Sequence, residues 1–93
     1  MTREEIDDFV DSLDIKVDIL IPDGLDDAFL GIHMEAEGGP RAVYSIEKCI
    51  NILAEDMSHE EATEYFWFNV AGALGEGFPF YISTPAEDES PYA

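Results

Sequence analysis

The sequence predicts an α+β domain in which a small antiparallel sheet is packed by three helices, and three observations predict it. Thr2 with Glu5 and Ser58 with Glu61 have capping-box spacing, and each pair precedes apolar residues at helical intervals. Two apolar runs flank Gly38-Gly39-Pro40, as the strands of a hairpin flank its turn. Of 93 residues, 46% are apolar and 12% aromatic, enough for a core in one small domain despite heavy charge.

Taken in order, residues 3–13 read as an amphipathic helix. Ile6, Phe9, Val10 and Leu13 recur at helical spacing, while Glu4, Asp7, Asp8 and Asp11 take the other face. Ile15, Val17, Ile19 and Ile21 then alternate, suggesting an additional strand over 15–21, although β-branched residues there also suit a packed loop. Pro22-Asp23-Gly24 ends that stretch with a turn. Residues 28–44 form the hairpin. Ser45 caps a helix over 46–57, whose Ile46, Cys49, Ile50, Leu53, Ala54 and Met57 make the cleanest period in the chain. Ser58 starts a third helix, 59–74, almost without a linker, so the two helices should turn sharply on each other. Gly72, Gly75 and Gly77 close it. Residues 78–84 form a last strand, moved toward a sheet edge by Pro79. The expected domain is 1–84, and 85–93 is an acidic, Pro-flanked tail expected to be disordered.

Twenty-two Asp and Glu against four Lys and Arg leave a formal net charge of −18. Self-repulsion on that scale costs a compact state stability, so some pressure to keep it, functional or solubilising, is expected. Direct binding to nucleic acid or anionic lipid requires a basic patch, and Arg3, Lys16, Arg41 and Lys48 stand singly among acids. The partners this composition suits are cations and basic protein surfaces. One cysteine, no signal-peptide pattern in MTREEIDDF and no apolar run of membrane-spanning length point to a soluble cytoplasmic protein.

No catalytic constellation emerges. His59 opens a helix and His33 lies in the hairpin on the face opposite Ile32, both expected to face solvent. Cys49, on the apolar stripe of its helix, behaves as a small hydrophobe. Asp18, Asp23, Asp26 and Asp27 gather near Gly24 but lack calcium-loop spacing, so no metal site is expected. Gly72, Gly75 and Gly77 do not form a dinucleotide fingerprint, because they end a helix instead of opening one, and no cofactor is expected. Asn69, inside FWFNVAGAL, is expected to hydrogen-bond a loop backbone. The four aromatics Tyr65, Phe66, Trp67 and Phe68 cover more than one helix face. With Phe66, Val70 and Ala73 toward the core, Trp67 points away, and Trp67 or Phe68 becomes the anchor if exposed. Asp7, Asp8, Asp11, Glu60, Glu61 and Glu64, carried on rigid helices, are the candidate partner-binding acids. They would meet the Lys and Arg that otherwise hold nucleic acid.

The run from Tyr44 to Ile82 resembles a family of small, acidic, mostly uncharacterised proteins of phages, prophages and other mobile elements. The resemblance is carried by Ala42-Val43-Tyr44, Glu47-Lys48-Cys49-Ile50, Ile52-Leu53, Met57-Ser58, Glu60-Glu61-Ala62, Glu64-Tyr65-Phe66, Phe68-Asn69-Val70, Gly72-Ala73, Gly75-Glu76 and Pro79 through Ile82. It implies a mobile-element origin and no established activity, so no functional residue is carried over. Small acidic phage proteins include anti-CRISPR and anti-restriction inhibitors, an analogy only. The combined expectation is a non-enzymatic accessory protein that binds a basic surface of a host protein, as a nucleic-acid mimic of a defence nuclease's or effector's ligand. The alternative is a structural domain that forms a homodimer through its aromatic block.

Overall fold

Thr2 opens α1 (Arg3–Ser12) with a complete capping box: its Oγ1 accepts the Glu5 N–H at 3.2 Å and its own N–H donates to Glu5 Oε1 at 2.9 Å. The computed structural model describes residues 1–72 and 77–85. After α1 come β1 (Phe29–His33), β2 (Arg41–Ser45), α2 (Ile46–Leu53), α3 (His59–Tyr65) and β3 (Phe80–Ile82). The fold is α+β, a small three-stranded sheet packed by three helices.

The sheet is mixed. Central β2 pairs antiparallel with β1 and parallel with β3, whereas the sequence reading made all the pairings antiparallel. The reason is connectivity. Ser45 ends β2 and caps α2 through the Lys48 N–H, so the chain leaves the sheet directly into two consecutive helices. Those helices return it to the end where β2 began, and β3 then has to run alongside β2. In β1, the register slips between Phe29 and Gly31, leaving Leu30 outside the pairing and exposed.

Residues 15–21 form no strand. They run as irregular chain, bent at Val17, beside α1, half-burying Ile19 and Ile21 against the core while Val17 and Leu20 stay exposed. Alternation alone therefore misled, because a strand also needs a free sheet edge to pair with, and this segment faces a helix. The helices are also shorter than their apolar periods suggest. α2 stops at Leu53, and Met57 reaches the core from a turn in which Glu55 and Asp56 donate to the carbonyls of Ile52 and Leu53. The expected end of the third helix at residues 73–74, Gly75 and the tail beyond 85 lie outside the described residues.

The core gathers Ile6 of α1, Leu25, Ala28, Phe29, Ala42, Tyr44, Cys49, Ile50, Ala62 and Phe66. Fully burying a side chain such as Ile6 or Phe66 contributes roughly 1.5–3 kcal/mol. Aromatic rings run through it edge to face: Phe9 on Phe29 at 6.2 Å, Phe29 on Tyr44 at 5.6 Å, and Phe66 on Tyr81 at 5.2 Å. A polar clasp closes the sheet at the N-terminus of α2. Buried Ser45 shares a 2.6 Å hydrogen bond with Thr84, and Glu47 accepts from the Ser83 hydroxyl and, at 2.7 Å, from the Thr84 N–H.

Candidate protein-docking surface

α3 begins at Ser58, whose Oγ accepts the Glu61 N–H at 3.1 Å. This is the side-chain half of the expected box. Glu60 and Glu61 occupy its first turn, where the positive end of the helix dipole favours carboxylates. Ala62 and, one turn on, Phe66 point into the core. Past Tyr65 the helix widens: the Ala71 N–H reaches back five residues to the Phe66 carbonyl at 2.8 Å. A run apolar on every side cannot bury all its faces on one sheet. The wide turn keeps Phe66 inside and Val70 and Ala71 half-buried, and leaves Trp67 and Phe68 outside. Gly72 permits this ending, since a Cβ there would sit 2.9 Å from the Phe68 carbonyl oxygen and 3.0 Å from that of Trp67.

The outcome is an aromatic patch in water. Phe68 is 81% exposed, Trp67 51% and Tyr65 45%. Trp67 stands edge-on to Phe66 at 5.1 Å, so its ring is held by a core residue while half its surface remains free. Met57, Glu61, Glu64, Tyr65, Phe68 and Asn69 line a shallow groove of about 410 Å³ on this face. Glu60 is exposed beside it but does not line it. Asn69 corrects its expected role: it is exposed and lines the groove, and among the described residues it makes no hydrogen bond to a loop backbone, which an exposed amide does not need.

The α1 acids lie elsewhere. Asp7, Asp8 and Asp11 are exposed, and Asp7 and Asp11 line a second groove with Arg3, Asp14 and Asp18 between α1 and the 15–21 segment. Arg3 already pairs there, with Asp7 at 3.2 Å and with Asp23 at 3.0 Å. The two grooves share no lining residue, so the acids that sequence reasoning treated as one set sit on two surfaces; the α3 set adjoins the more exposed rings, Phe68 at 81% against 37% for Phe9 on α1. Sequence reasoning left Met57, Tyr65 and Asn69 out of the binding residues. The signal was there in part, since Tyr65 and Phe68 follow Glu61 at four and seven residues, the spacing of one helix face.

Burial pushes the Cys49 thiol up to about 12 and the Tyr81 phenol up to about 12, away from the range of a useful base or nucleophile. His33 is exposed, 5.7 Å from the Phe80 ring, and His59 is exposed at the start of α3. A largely apolar cleft of about 340 Å³ lies between the 20–25 loop and residues 78–81, with Leu53, Tyr65, Asn69 and Val70 along its wall. Among the described residues no three of His, Cys, Asp and Glu converge to hold a metal ion, and no helix is long and apolar enough to cross a membrane. No protein-family model, curated protein or solved structure matches this chain.

Proposed function

We propose that this chain is a non-enzymatic accessory protein of phage or mobile-element type that docks on a basic surface of a host protein in the host cytoplasm. The target is a nucleic-acid-binding protein such as a defence nuclease or effector, whose Lys- and Arg-lined channel the acids would occupy in place of phosphates. The carrying observation is the juxtaposition of Glu60, Glu61 and Glu64 on α3 with the exposed rings of Tyr65 at its end and of Trp67 and Phe68 in the wide turn that continues it. Magnitudes divide the labour between the two. A solvent-exposed ion pair contributes about 0.2–1 kcal/mol, whereas a buried aromatic anchor contributes about 2 kcal/mol or more at an interface. The rings therefore supply affinity, and the net charge of −18 supplies steering and choice of partner. Asp7, Asp8 and Asp11 extend the negative field from a separate surface.

The test is recovery of host proteins on the tagged chain at low and high salt, with and without competing DNA. The expected result is capture of a nucleic-acid-binding protein that salt and DNA both reduce. Charge reversal at Asp7, Asp8, Glu60, Glu61 and Glu64 should abolish it. Capture indifferent to salt, DNA and charge reversal overturns the reading. Recovery of the chain alone, with a dimeric solution mass, replaces it with the homodimer in which the aromatic patch is the seam.

A further inference from the structure

The α3 groove is lined by the apolar side chains of Met57, Tyr65 and Phe68 and by the carboxylates of Glu61 and Glu64. Those carboxylates are three residues apart, so their side chains leave the same helix face about 5–6 Å from each other. Among the described residues neither makes an ion pair, while Arg3, Lys16 and Arg41 are engaged with Asp7 and Asp23, with Asp14, and with the Phe80 ring. Two uncompensated carboxylates beside a ring that is 81% exposed leave the place of a cation open.

Resting on the functional reading above, we propose that this groove is an arginine seat: it takes a guanidinium from the partner, stacked on Phe68 and bridged between Glu61 and Glu64. A guanidinium is planar, stacks on aromatic faces and carries five donors in a rigid fork, so it can satisfy both carboxylates while covering a ring. A lysine ammonium is compact and strongly hydrated, and gains the charge without the stack. The same chain shows the geometry once already, in the Arg41 guanidinium lying 4.9 Å from the Phe80 ring centroid. Charge complementarity selects a basic partner over a second copy. A copy would bring its own Glu60, Glu61 and Glu64 against these in a two-fold seam, on top of −18 per chain.

Two labelled peptides of equal length and charge, one bearing arginine and one lysine, separate the possibilities. Binding is read by fluorescence anisotropy and by the emission of Trp67, the single tryptophan. The arginine peptide should bind about tenfold more tightly, the scale of a stacked and partly desolvated cation–π contact. Phe68→Ala and Glu64→Gln should each bring the ratio close to one, with circular dichroism confirming that each variant is folded, while Glu4→Gln on α1 should leave it intact. Equal, salt-sensitive affinity for both peptides overturns the arginine seat and leaves the functional reading standing. Absent or salt-insensitive binding of both overturns the two together. A preference that survives Phe68→Ala, or a dimeric mass that Phe68→Ala abolishes, also overturns the seat.

Discussion

Tyr44→Phe should stabilise this protein. Tyr44 is fully buried at the centre of the sheet, with Phe29 and Tyr81 rings against it at 5.6 and 6.1 Å, and its hydroxyl has no hydrogen-bond partner among the described residues. Phenylalanine keeps both ring contacts and removes only the hydroxyl. A buried polar group left unsatisfied costs about 1–3 kcal/mol, and part of that is returned as a small void where the oxygen was. The net expectation is a gain of about 1 kcal/mol, which raises Tm by roughly 4–8 °C in a domain of this size. Burial first, and then the charge of Asp26, hold the Tyr44 phenol above its ordinary value, so the hydroxyl stays protonated and uncharged at neutral pH. The assay is thermal unfolding at neutral pH followed by circular dichroism, with urea unfolding to confirm an unchanged m-value. A fall in Tm of comparable size refutes the reasoning, because it would mean that the hydroxyl is hydrogen-bonded in solution and contributes to stability.

Three further outcomes follow from the same packing. Glu47 is held below its ordinary 4.5 by the Ser83 hydroxyl and the Thr84 N–H, so its contribution is present above that value and is lost as pH falls through the lower folded value. Glu47→Gln should cost roughly 1 kcal/mol at neutral pH, after allowing for solvent screening, and should flatten that acid limb in urea titrations at stepped pH. At the alkaline end, Cys49 is raised from 9.0 to about 12 and Tyr81 from 10.0 to about 12. Their contributions are complete below the ordinary values and decline as pH rises from there toward the folded ones. Stability should therefore fall across that window, and Cys49 should resist a thiol reagent until the chain unfolds. Last, Phe66→Ala should cost about 3–5 kcal/mol, most of the stability of so small a domain, while Phe68→Ala should change it by less than about 0.5 kcal/mol; paired denaturation curves decide.

Much of this architecture was legible because its signals are local. Thr2, Ser45 and Ser58 cap helices through hydrogen bonds to residues three positions away, and that spacing is visible in the chain before any tertiary contact forms. Gly38 and Gly39, both at positive φ, allow the turn between β1 and β2, a conformation that glycine adopts freely. The place of Cys49 on the buried stripe of α2 follows from periodicity in the same way.

What depended on distance along the chain was not legible. Whether 15–21 becomes a strand turns on which surface lies beside it, and the direction of β3 turns on where two helices deliver the chain. Neither is encoded in a window of a few residues. The candidate site divides along the same line. Composition alone determined that this protein presents net negative charge, since no arrangement of four cations can mask twenty-two acids. Only the tertiary structure decided which acids stand beside an exposed ring. Four consecutive aromatics exceed what one sheet face can cover, and the wide turn after Tyr65 settles that Phe66 goes in while Trp67 and Phe68 stay out.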